Sequence, residues 1–102
     1  MPELLDGPGG VASGELNATI MDWPAGHATP EHVNTEREVL LVVLLGSAVV
    51  RVDEVDYPRA AGQALVIEVG ARRQIVAGPE GVRCLTAHRR REGLMPARGG
   101  AR

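Results

Sequence analysis

Between Glu15 and Trp23 the chain reads ELNATIMDW, in which Leu16, Ala18 and Ile20 alternate against Asn17 and Thr19. This period of two is the pattern of a half-buried strand. Gly7, Pro8, Gly9 and Gly10 ahead of it predict a flexible start over residues 1–10, and Pro24, Ala25 and Gly26 end it. A short extended piece is expected around His32 to Asn34. Val39 to Leu45 is apolar at every position, so this strand has no polar face and is expected to be covered on both sides, by the interior on one and by a second sheet or a partner subunit on the other. Gly46 and Ser47 predict a turn into the strand Ala48 to Asp53, and the acidic corner Glu54-Val55-Asp56 predicts another before a brief strand at Tyr57 to Arg59. Past a turn at Gly62, Ala64 to Glu68, Arg73 to Ala77 and Val82 to His88 read as strands, separated at Gly70 and by the strong turn signal Gly78-Pro79-Glu80-Gly81. No long window carries the i, i+3, i+4, i+7 recurrence of an amphipathic helix. The pattern predicts an all-β chain of about eight or nine short strands, a sandwich or barrel.

Composition narrows this picture. A chain of 102 residues fits one domain large enough to bury most of its unfolded surface. It has no Phe, and Trp23 and Tyr57 are its only aromatics, so the core must be built from Val, Leu, Ile and Ala, which suits strands. Trp23 and Met21 are expected to cover one end of the barrel or, for Trp23, to pack on a partner. A net charge of −2 argues against nucleic acid as a partner, because such binding needs many phosphates neutralised. All eleven basic residues are Arg, and six of them follow Gly81, including the run HRRRE, which reads as a solvated edge or a basic contact. Residues 91–102 offer little to bury and are expected to be disordered. Cys84 is the only cysteine, so no disulfide within the chain is possible. Neither a signal-peptide pattern nor an apolar run long enough for a membrane helix is present, which predicts a soluble cytoplasmic protein.

One spacing carries chemistry. Gly26 is followed by HATPE, His32-Val33-Asn34, TERE, Val39, LLVVLL and Gly46; fifteen residues on come Gly62, QALVI, Glu68-Val69-Gly70, AR, Arg73, QIV and Ala77. In these intervals the sequence resembles the cupin superfamily over residues 11–90. The resemblance implies a double-stranded β-helix, the jelly-roll barrel. Together with the apolar strand Val39 to Leu45 it implies a homodimer.

In that family four positions supply three imidazoles and a carboxylate to a metal, and here they hold His32, Asn34, Val39 and Arg73. A transition metal needs neutral imidazole or carboxylate oxygen, which Val39 lacks altogether and Arg73 replaces with a permanent cation. The expectation is therefore no metal and no cofactor. Two relocated sets stay open: His32 with Glu38, or His32 with Cys84 and His88, which alternate on one strand face. Arg73 either bridges to Glu36, Glu38 or Glu68, or joins His32 and Asn34 as the floor of a cavity that takes a small polar or anionic ligand. Arg72 should then point outward, and His27 to solvent. An isomerase, cyclase or oxygenase is the rival reading, with His32 as a general base and Arg73 facing an oxyanion. No second acid or base marks itself, so no catalytic residue is assigned.

Overall fold

A computed structural model of the chain describes residues 6–90. It contains seven strands: β1 (Gly9–Ala12), β2 (Leu16–Trp23), β3 (His32–Val33), β4 (Val39–Val52), β5 (Val55–Ala60), β6 (Ala64–Ile67) and β7 (Arg72–Arg89). Every pairing is antiparallel, and no helix among the described residues is long and apolar enough to cross a membrane. The two motif-bearing segments were expected to split into short strands, yet β4 runs through Gly46-Ser47 and β7 runs through Gly78 to Gly81.

These glycine-rich stretches are bulges in continuing strands. Gly46 pairs with Val82 and Ala48 with Ala77, so Ser47 on β4 lies against residues 78–81 of β7. Extra residues on one side of a ladder bend it and increase its twist. Both long strands bend at the same level, which divides the sheet into two halves. The first half of β4 pairs with the end of β7 and with β6, and β2 and β1 extend this half beyond β7. The second half of β4 pairs with the start of β7 and with β5, and β3 adds to the far side of β7.

The halves close over one core. Leu41 and Val43 come from the first half of β4 and Val50 from the second, and all three are buried in one cluster with Ile67, Ile75, Val82 and Cys84. Burying a side chain of this size contributes roughly 1.5–3 kcal/mol. At the corner the backbones approach so closely that a Cβ on Gly46 would run into the Gly81 carbonyl oxygen. Gly46 also has a φ of 75° and Gly81 one of 84°, conformations that L side chains rarely adopt.

Other local expectations shift by a few residues. The turn after β4 is made by Asp53 and Glu54, whose φ values of 49° and 70° suit a two-residue hairpin loop, so Val55 and Asp56 of the expected corner belong to β5. β1 begins at Gly9, within the stretch expected to be flexible, and pairs with β2. Past β7, Arg90 is tied back: its amide donates to the Glu15 carbonyl at 2.8 Å and its Nη1 to the Ser13 carbonyl at 2.7 Å. Residues 1–5 and the tail 91–102 lie outside the described residues.

The outer face of β4 is not covered by a second sheet among the described residues. Leu40 pairs with Val66 on β6 and with Ala87 on β7, and Leu40 is 41% and Val66 53% exposed. With Leu16 and Val69 they line an open groove of about 700 Å³, rimmed by Glu36, Arg37, Glu38, His88 and Arg89.

Candidate functional site

The segment from His27 to Val33 is laced along the first half of β7. Ala77 donates to the His27 carbonyl at 2.8 Å, Thr29 donates to the Ile75 carbonyl at 2.9 Å, and the Ile75 amide donates to the Thr29 hydroxyl at 3.0 Å. Gln74 Nε2 adds a bond to the Thr29 carbonyl at 3.0 Å. β3 then sets His32 directly opposite Arg73. Residues opposite each other in an antiparallel pair project to the same face, so imidazole and guanidinium share one side of the sheet.

That side opens on a cavity of about 400 Å³ between the two halves of the fold. β7 supplies Arg73, Ile75 and Thr86, and β2 supplies Thr19, Met21 and Trp23. His27, Thr29, Pro30, Glu31 and His32 complete its lining. The rings of Trp23 and His27 stack at 5.8 Å with 15° between their planes, so the exposed His27 covers part of the indole. Met21 and Trp23 also pack on the core cluster.

Arg73 is the exceptional group in this cavity. The side chain is half-buried, and its Nη1 is buried without a hydrogen-bond partner. Arg37 pairs with Glu36, Arg51 with Asp56, Arg72 with Glu31 and Arg83 with Asp22, and Arg73 takes part in none of these, so the expected bridge from Arg73 to Glu36, Glu38 or Glu68 is not one of them. Burial pushes the Arg73 pKa below that of an ordinary guanidinium, with no carboxylate acting the other way. The group nonetheless stays cationic at neutral pH, because a guanidinium loses its proton only in strongly alkaline solution. Arg72 points to the other face, with Nε 3.7 Å from the Glu31 carboxylate.

Asn34 does not join them. Its Oδ1 accepts the backbone amides of Glu36 at 3.0 Å and Arg37 at 3.2 Å, holding the turn between β3 and β4. Short polar side chains readily take up neighbouring backbone amides in this way. The cavity residues that spacing did not reveal are Thr19, Thr29, Thr86 and Ile75. Thr19 pairs with Thr86 across β2 and β7, which puts both hydroxyls on one wall.

The four positions that the resemblance assigns to a metal do not fit one. Val39 is 2% exposed in the core, Asn34 spends its carbonyl oxygen on backbone amides, and Arg73 brings a cation. The relocated sets are not assembled either. Glu38 and His88 line the outer groove, whereas His32 lines the cavity and Cys84 is buried in the core. Among the described residues no three His, Cys, Asp or Glu side chains converge.

Burial, with a smaller push from Asp22, raises the Cys84 pKa to about 11 from an ordinary value of 9.0. The thiol therefore stays protonated near neutrality, and Ellman's reagent at pH 8 is expected to label it only after denaturant unfolds the chain. Fast labelling of the native protein would contradict its burial. The raised pKa has a further consequence for pH: the unfolded thiol ionises first, so this group's stabilising contribution is complete below pH 9 and is lost as pH rises through about 11.

No protein-family model matches the chain, and no curated protein matches it. Solved structures do. The cupin domain of Cnp3 from Schizosaccharomyces pombe aligns with a TM-score of 0.75 and 19% identity, over 89% of this chain and 69% of that one. KdgF from Halomonas sp. aligns at 0.72 and 19% identity over 85% and 81% of the two chains. An RmlC-like cupin from Shewanella frigidimarina aligns at 0.68 and 22% identity over 79% and 72%. With its two halves folded over one core at paired bulges, the described part of this chain is a single small domain with the fold of the cupin superfamily.

Proposed function

We propose that this cupin-fold domain binds a small organic anion in the cavity between its sheet halves, without the four-ligand metal site of its fold family. One observation carries the reading: a half-buried guanidinium lines the cavity and takes part in none of the ion pairs named above. An anion brought by a ligand would supply a counter-charge to this cation through the part of the guanidinium that faces the cavity. Arginine suits this role because its planar fork grips a carboxylate or phosphate through two parallel hydrogen bonds. His32 stands beside it as a second donor, and the threonine hydroxyls supply further polar contacts.

Thermal-shift screening of carboxylates and sugar phosphates tests the proposal. Stabilisation by at least one of these anions is expected in the native protein and should disappear in Arg73→Gln. Stabilisation that survives the substitution would move the anion away from this cavity.

The same reading takes a second copy of the chain as the occupant of the outer groove. Its apolar row from Leu16 through Leu40 to Val66 is rimmed by acidic Glu36 and Glu38 and by basic Arg37 and Arg89. A two-fold axis through such a patch covers the aliphatic row with the same row of the second copy. Sedimentation velocity is expected to give a dimer for the native chain and a monomer for Leu40→Glu. A native monomer would refute the pairing.

A further inference from the structure

Resting on the anion-binding reading, we infer that the cavity is built for a monocarboxylate carrying a ring-sized apolar body and discriminates against phosphate esters. The first reason is charge. Two side chains of the charged residue types Arg and Glu line the cavity, Arg73 and Glu31, and Glu31 already lies within 3.7 Å of Arg72. A carboxylate brings one negative charge, which Arg73 compensates. A phosphate monoester brings nearly two at pH 8, and its second charge finds no further guanidinium among the residues that line the cavity.

The second reason is the supply of donors. Besides a guanidinium, phosphate sites commonly draw on backbone amides at a helix N-terminus or in a glycine-rich nest. The described residues form no helix, and the backbone around Arg73 is committed to strand pairing: Thr29 and Ile75 exchange hydrogen bonds, and His32 is paired with Arg73 itself. What the cavity offers is side-chain donors: one fork, one imidazole and threonine hydroxyls. That set matches the two oxygens of a carboxylate.

The third reason is the wall. Ile75, Met21 and the Trp23 indole give the cavity an apolar side next to the guanidinium, and its 400 Å³ exceeds what a bare acetate needs. A ligand that satisfies only the cation would leave this wall wet, so an apolar body adds affinity that a bare carboxylate lacks.

Isothermal titration at pH 8 with matched probes tests the inference. Benzoate, phenylacetate and cinnamate are the ring-bearing carboxylates, acetate is the carboxylate without a body, and phenyl phosphate and inorganic phosphate are the competing anions. At least one ring-bearing acid is expected to bind about tenfold more tightly than both acetate and phenyl phosphate, and to lose binding in Arg73→Gln with an unchanged far-UV circular dichroism spectrum. Arg73→Lys, which keeps the charge without the fork, should restore only part of it. Phenyl phosphate binding as well as the carboxylates, and through Arg73, would overturn this inference and leave the broader anion reading standing. Binding that is absent for every probe, or indifferent to Arg73, would overturn both.

Discussion

Replacing Arg73 with methionine is expected to make the unliganded protein more stable, by about 1–2 kcal/mol, while removing its capacity to bind anions. Most substitutions of partly buried residues destabilise, so the direction is diagnostic. It follows from the environment of the guanidinium, which is half-buried with an unpartnered Nη1 and lies in none of the described ion pairs. Methionine keeps the length and flexibility of the side chain, so it can lie against Ile75 and Met21 without leaving a void. For a domain of this size each kcal/mol moves the melting temperature by roughly 4–8 °C, which calorimetry resolves easily. A loss of stability would mean that Arg73 serves the architecture, and the binding proposal would lose its main support.

Gly46→Ala is expected to have the largest structural effect, a loss of about 3–4 kcal/mol. Part of this, about 1–2 kcal/mol, comes from forcing a side chain into left-handed backbone. The remainder arises because the new Cβ would meet the Gly81 carbonyl, backbone against backbone, at the place where β4 and β7 bend together. Gly62 separates the two contributions: it has a φ of 89°, but a Cβ there would meet nothing within 4 Å, so Gly62→Ala carries only the conformational cost. Urea denaturation of the two variants gives the comparison. Equal losses would show that the close approach at the corner contributes nothing.

Much of the fold was legible because the strand patterns are strong. The run from Val39 and the stretches after Ala64 and Val82 all became strands, and the motif spacing pointed to the right fold. The turn signals misled in a specific way. A glycine with positive φ serves a chain reversal and a bulge equally well, and only the pairing of Gly46 with Val82 and Ala48 with Ala77 distinguishes them. Local chemistry reports a change in backbone direction, and it does not report whether the neighbouring strand changes direction too.

The site shows a similar division. Spacing singled out His32 and Arg73, which the fold brings face to face, but equally singled out Asn34, whose amide is claimed by the next turn. Alternation along β2 sets Leu16, Ala18 and Ile20 against Asn17 and Thr19, which assigns Thr19 to the solvent side. In the fold Leu16 is 55% exposed, while Thr19, Met21 and Trp23 face the cavity. Polar residues on an inward face are what a wet binding cavity needs; Ile20 is buried as the alternation predicts, but a rule that equates apolar with inside passes over the threonines of the other face.

The two long bent strands also bear on how quickly this chain can reach its native state. Their pairing joins Leu40 to Ala87, so neither half of the core can assemble until distant parts of the sequence have met. Closing so long a span costs entropy before any contact repays it, which places the domain among slow, millisecond-to-second folders. Until that meeting occurs, the all-aliphatic stretch beginning at Val39 is open to other nascent copies, and production at low temperature and low concentration should favour the monomeric route over aggregation.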